Sequence, residues 1–426
     1  MNSRVYQVLL LMLVVASFFH SQAAVLGLTF LVIVISLYNY SASVKMVRLF
    51  TILLIPPILG LIVGYENDTY LILKDFYYFS FPLIFLLCGI LLASQLEIAD
   101  FLKTIVLAGV TASIIVTVIS IAYTGFSALT NPYSAHYAMG ILGTPAPAVA
   151  LACLLFTKKF NIRLFTSFWF NILLAINVMG IYMFASRSYF IILMCFLFLL
   201  IANRIKWSWI TPLVVTLIIF FTLLPTDIFT AKSSDTFLGK LLSSFNEISI
   251  GNYNTEQDIN IRYRGYESFM ALDGYMKSDT KGIIFGGLGK LVDLKTFVRL
   301  GVDTDYRYIP VLHNGWLYIL VKTGATGVLT YLVIFFGLIT VNWKKYADAK
   351  SKPIIRLFAA LTIGCILSLM LTNYIITSFF NVEMSIIMIT LGYSYMNFYS
   401  LLSRLKEREE AEQLKQDYIN NLSYSL

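Results

Sequence analysis

Uninterrupted apolar runs about as long as a bilayer is thick constrain this chain more than any other feature. The segments 105–122 and 213–224 show no polar stripe, the pattern of helices surrounded on all sides by apolar neighbours. A membrane-spanning helix needs about 20 mostly apolar residues, and runs of this kind recur along most of the 426 residues. Composition agrees: 58% of residues are hydrophobic, 13% are charged, and mean hydropathy is +0.79. A soluble domain is nearer half apolar and a quarter charged. The excess must face lipid, which excludes an ordinary soluble enzyme.

The runs predict an all-α polytopic membrane protein with about twelve transmembrane helices. They fall at 5–19, 23–40, 47–64, 71–94, 101–123, 136–157, 164–185, 188–203, 207–225, 325–343, 354–377 and 381–402. Orientation follows from charge, because basic residues collect in short cytoplasmic loops. With the N-terminus inside, the cytoplasmic segments hold Arg4, Lys45, Arg48, Lys103, Lys158, Lys159, Arg163, Arg204 and Lys206. They also hold Lys344, Lys345, Lys350, Lys352, Arg356 and the basic residues of the tail. The short loops opposite carry little beyond Lys74 and Arg187. The net charge of +8 is therefore largely topological and does not point to nucleic acid. Ser21-Gln22-Ala23 has the small-residue character of a signal cleavage site, but only one basic residue precedes the apolar run, so the run is read as a span.

The organisation expected is nine spans over 1–225, a large periplasmic loop over 226–324, three spans over 325–402 and a cytoplasmic tail over 403–426. Its polar part, 226–310, holds ten of the 31 basic residues and is expected to contain short helical or irregular stretches, with 311–323 as an interfacial helix. The tail reads as a solvated mixed-charge helix at the membrane surface. Cys88, Cys153, Cys195 and Cys365 all fall within apolar runs, without metal or redox spacing.

Three constellations could carry chemistry. His313-Asn314, nine residues, then Gly324-x-x-Gly327 stands where the polar loop returns to the membrane. Imidazole titrates near neutrality and can accept a proton from a hydroxyl nucleophile, and the glycines allow close helix approach. The plainer reading is a histidine hydrogen-bonded at the interface. Arg262-Tyr263-Arg264 lies midway along the loop. Guanidinium groups grip phosphate oxygens at two points, although arginines in an aqueous loop are usually just solvated. Arg187 lies between two apolar runs with almost no loop, where a charge is costly unless it snorkels or meets an anion.

Weaker patterns are set aside. Asp303-Thr304-Asp305 is too short to mean a metal site, and His20, His136 and His313 are far apart in sequence, so no metal is expected. Gly286-Gly287-Leu288-Gly289-Lys290 fails the phosphate-loop pattern at Ile284 and Leu291.

Taken together, these features resemble the O-antigen ligase and O-antigen polymerase superfamily of bacterial polysaccharide assembly. The resemblance covers the whole architecture, and His313-Asn314-x9-Gly324-x-x-Gly327 matches the family's His-Asn/Ser/Gln, nine-residue, Gly-x-x-Gly motif in full. Arg187 stands like the family's arginine at a periplasmic helix junction, and Arg262 or Arg264 like its loop arginine. The stretch Phe285–Gly289 sits where relatives carry a glycine-rich turn, without the proline that usually precedes it.

The resemblance implies a GT-C-like fold in the bacterial inner membrane. It also implies metal-independent, inverting glycosyl transfer from an undecaprenyl-diphosphate-linked glycan to a hydroxyl, with no cofactor. His313 would act on the acceptor, Arg187 with Arg262 or Arg264 would hold the diphosphate, Asn314 would help bind substrate, and the spans would form a groove for the polyprenyl tail. The partners implied are the lipid-linked donor, a glycan or lipid A–core acceptor, membrane lipids and a chain-length regulator. Polymerase is preferred to ligase because no core-binding feature is visible. The competing class is a lipid-linked oligosaccharide flippase or secondary transporter; its expected signs, paired charges within the spans or matched broken helices, are not seen in the sequence.

Overall fold

The computed structural model describes residues 3–37, 44–133, 135, 140, 142–202, 253, 259, 262–299 and 305–423. The expected span at 207–225, the loop up to 252, His136 and Asp303-Thr304 lie outside the described residues. The rest is mostly helical. In chain order the helices are α1 (Ser3–Phe18), α2 (Gln22–Leu37), α3 (Val44–Val63), α4 (Thr69–Gln95), α5 (Ile98–Thr124), α6 (Ala146–Lys159), α7 (Ser167–Phe184) and α8 (Arg187–Ala202). Then follow α9 (Tyr263–Met276), α10 (Thr280–Phe285), a hairpin of β1 (Val292–Arg299) and β2 (Asp305–Ile309), α11 (Gly315–Ala347), α12 (Pro353–Ile375) and α13 (Ser385–Ser423).

Five helices, α4, α5, α7, α11 and α12, are long and apolar enough to cross a membrane, and α1, α2, α8 and most of α3 are shorter apolar helices. Val34, Val118 and Val333 on three of them are each at least 60% exposed. Apolar surface of this extent is stable only against lipid. The chain is a helical, membrane-embedded protein.

The interior is held by backbone proximity as well as by side chains. At the crossing of α4 and α13, a side chain on Gly89 would collide with the Ile389 carbonyl, and one on Gly392 with that of Leu86. Close approach through small residues replaces the hydrophobic drive that lipid does not supply. Nearby, Phe101 and Tyr393 stack with centroids 3.5 Å apart.

The elements depart from the sequence expectations at identifiable residues. Within the span expected from 136, residues 142–145 are not helical and a helix starts at Ala146, where Pro145 occupies the N-cap and Pro147 the first turn. The interfacial helix at 311–323 and the span after it form one element, α11, broken at Gly324 (φ 65°, ψ −168°). The loop contains an antiparallel hairpin that was not expected. Asp293 on β1 pairs with Arg307 on β2 at 3.0 Å, and Arg307 followed by Lys295 holds its carboxyl well below the usual carboxylate range. The tail does not form a separate helix; α13 continues through it without a break.

Charge is segregated along the bundle. Lys159 donates to the Leu200 carbonyl and the Tyr346 hydroxyl, and Arg356 to the Tyr346 carbonyl. These contacts gather the basic α6–α7 and α11–α12 connections at one end. The His313 region lies at the other end.

Candidate functional site

The His313 motif is first of all a set of instructions for building a helix. Asn314 is the N-cap of α11, its Oδ1 accepting from Trp316 N at 3.0 Å and Leu317 N at 3.3 Å. Such a cap satisfies amides that the first helical turn leaves unpaired. Gly315 lies against the Asn373 side chain near the end of α12. After nine intervening residues comes Gly324, with φ +65°, where any side chain would also collide with the Ile284 carbonyl at the end of α10. The spacing thus reads cap, short helix, left-handed break. The Asn314 side-chain oxygen is used as a cap.

The glycine-rich turn fits against that break. Gly286 approaches Thr323 and Gly324 so closely that no side chain could stand there. Gly287 N donates to Lys322 O at 3.0 Å, Leu288 N to Gly60 O at 2.9 Å, and Gly289 N to Asp75 Oδ2 at 2.7 Å. Every amide from Gly286 to Lys290 is occupied within the protein, which closes the phosphate-loop alternative.

A buried ion pair secures the same junction. Lys322 Nζ stands 2.6 Å from Asp75 Oδ2, both side chains at most 2% exposed, and Tyr318 donates to Asp75 Oδ1 at 2.6 Å. Lys322 also donates to Lys290 O at 2.6 Å. The expectation that the spans lack paired charge does not hold here, because Asp75 lies in the first third of α4. In sequence, an aspartate beside Lys74 at a span end reads as solvated; its partner is supplied by a residue far along the chain.

His313 itself is oriented by a residue the sequence did not flag. Glu267, one turn into α9 and 1% exposed, accepts from the His313 backbone amide at 3.2 Å and lies 3.1 Å from its Nδ1. A carboxylate oxygen can only accept, so Nδ1 carries a proton, and in the neutral ring this leaves the lone pair on Nε2. The imidazole is 47% exposed, so the basic nitrogen belongs to an accessible ring held by an inaccessible carboxylate. Tyr263 meets the imidazole edge-on, ring centroids 5.7 Å apart. The signal was faint: Glu267 follows Tyr263 by one helical turn, in a loop where a glutamate is ordinarily solvated.

The arginines divide. Arg262 is the N-cap residue of α9 and Arg264 its second residue, so the structure brings both to the helix that holds His313. Arg264 Nη1 donates to Ile375 O at 3.3 Å, tying α9 to the end of α12. Arg187 opens α8 directly after the left-handed Ala185, as the near-absence of a loop implied. It precedes by two residues Tyr189, whose hydroxyl donates to Glu383 Oε2 at 3.1 Å. Glu383 also receives Asn381 Nδ2 at 2.9 Å and stands 3.2 Å from His20 Nε2. Tyr189, Glu383, Asn381 and His20 thus form a second polar cluster near the start of α8, joined to the first through the segment 376–381 that follows α12.

Beside the α7–α8 junction a cavity of about 650 Å³ opens between α6, α7 and α8. Leu151, Val178, Ile181 and Leu193 give it an apolar lining, and Thr130, Asn131 and Ser186 add polar groups. It suits an amphiphile with a long apolar portion. No protein-family model matches the chain, and no curated protein does.

Proposed function

We propose that this protein is an inverting, metal-independent glycosyltransferase of the O-antigen ligase and polymerase superfamily, acting as a polymerase on undecaprenyl-diphosphate-linked glycan. The observation that carries the reading is the Glu267–His313 pair, an oriented and accessible base within the complete family motif.

In the reaction, His313 Nε2 takes the proton of an acceptor hydroxyl as its oxygen attacks the anomeric carbon. The new carbon–oxygen bond forms on the face opposite the bond to diphosphate. That bond breaks with its electron pair, and the lipid diphosphate leaves carrying the charge. Arg187 and Arg262, with Arg264 bridging to α12, would supply the positive charge it needs. One preorganised stabiliser of developing charge is typically worth about 3–4 kcal/mol of barrier. The cavity beside Ser186 would take the polyprenyl chain. The basic end of the bundle would be cytoplasmic by the charge rule, which puts the His313 end in the periplasm.

A ligase acting on lipid A–core would run the same chemistry, and the acceptor distinguishes the two. A transporter reading draws on one observation, the buried Asp75–Lys322 pair. The deciding experiment uses purified protein with a lipid-diphosphate glycan, an acceptor and chelator. The wild type should form a new glycosidic bond, and His313→Ala should not, while still binding donor. Normal transfer by His313→Ala refutes the assignment of the base. Movement of donor across vesicles with no bond formed by the wild type would favour transport.

A further inference from the structure

α9 begins Arg262-Tyr263-Arg264 and supplies Glu267 one turn later, so one short helix carries both candidate cations and the residue that orients His313. Tyr263 between them has had no role so far. Its hydroxyl is buried and, among the described residues, has no hydrogen-bond partner, while its ring lies edge-on to His313. A buried polar group left unpaired costs free energy comparable to a lost hydrogen bond. Phenylalanine would pack as well without that cost, so the hydroxyl calls for a partner that none of the described residues supplies.

The chemistry narrows what that partner is. Burial, and then the charge of Glu267, push the phenol well above its ordinary range, so it keeps its proton and acts only as a donor. An acceptor hydroxyl about to lose its proton needs a base, which His313 provides. The groups that need donors are the oxygens of the departing diphosphate. A donor next to the base, standing between Arg262 and Arg264 in sequence, suits the leaving-group side of the anomeric carbon. We propose that Tyr263 is a substrate-contacting residue that donates a hydrogen bond to a diphosphate oxygen of the lipid-linked donor. This rests on the glycosyltransferase reading for its substrate. No proton is transferred from the phenol; it lends only a hydrogen bond, which strengthens as charge develops.

The test compares wild type and Tyr263→Phe, purified in nanodiscs, by thermal unfolding without ligand, affinity for undecaprenyl diphosphate, and transfer kinetics. The Phe variant should unfold at the same temperature or higher, because no internal hydrogen bond is lost. Its affinity for undecaprenyl diphosphate should fall about 10- to 100-fold, the range for a hydrogen bond to a charged group, and kcat/KM by at least as much. A lower unfolding temperature with unchanged affinity would mean that the hydroxyl is structural, which overturns the proposal. Unchanged affinity and kinetics in an active background overturns it too. Should the wild type form no glycosidic bond, the glycosyltransferase reading fails by itself. The affinity arm then decides alone: a loss in Tyr263→Phe supports a phosphate-contacting hydroxyl, and no loss overturns it.

Discussion

Replacing Glu267 by glutamine tests the orientation of the base with almost no change in shape. Both carboxylate oxygens face His313, at 3.2 Å from its amide and 3.1 Å from Nδ1 for the nearer one. In Glu267→Gln one of the two oxygens, each within 3.3 Å of Nδ1, is replaced by an NH₂ group that faces the same ring nitrogen. An NH₂ group donates, so Nδ1 must accept, and the ring proton moves to Nε2, the atom that should take the acceptor's proton. The base is then present in the wrong tautomer. Losses of about 10²–10⁴ in kcat are expected from removing a general base or misassigning its tautomer. The arginines are untouched, so KM for donor should change little. The assay is transfer from a defined lipid-diphosphate glycan at saturating donor, with products resolved by chain length. Glu267→Ala is the companion variant. It leaves the His313 amide without its acceptor and should also cost about 1–3 kcal/mol of stability, seen as earlier thermal unfolding. A Glu267→Gln enzyme within twofold of wild type in kcat would refute the argument.

Three further outcomes follow from the same geometry. Arg187→Ala should abolish glycan assembly in cells at normal membrane levels, and Arg187→Lys should recover little, since an ammonium loses the planar two-point grip; complementation and immunoblotting check both. Lys322→Met should destabilise by about 3–5 kcal/mol, because it leaves Asp75 buried without its cation, whereas adding Asp75→Asn should restore much of that; a double-mutant cycle of unfolding in detergent measures the coupling. Gly324→Ala should cost at least about 1–3 kcal/mol for its left-handed backbone alone, with further loss from collision with Ile284; thermal unfolding of the purified variant reads it directly.

Local signals placed the helices well and the polar contacts poorly. Apolar runs located α4, α5 and α12 to within a few residues, because each helix must match a hydrophobic thickness wherever it packs. The His313 motif was visible because cap, short helix and break are written in consecutive residues. Glu267 and Lys322 were not, because what distinguishes them is burial against α11 and α4, and burial is a tertiary property. Asp75 drew no notice in the sequence, because its partners Tyr318 and Lys322 come from the far part of the chain. The hairpin escaped notice because Val292–Arg299 alternates too weakly, with charges at Asp293, Lys295 and Arg299. The two arginines of α9 could not be told apart by sequence; only the contact of Arg264 with Ile375 distinguishes them.

The junction of the glycine turn with α3, α4 and α11 has a consequence for how the molecule is made. Tyr318 and Asp75 are 243 residues apart, so the two faces of this junction leave the ribosome at very different times. The ends of α3 and α4 are synthesised early, with Gly60, Gly64 and Asp75 forming a socket that has nothing to hold. It fills only when the glycine turn and Lys322 arrive, and these fix the break at Gly324 and the short helix that starts at Asn314. Until then, inserted spans carry no ordered base. Chains stopped before residue 286 should therefore insert yet lack the site, and supplying the missing part as a separate polypeptide should rebuild it if the socket stays open.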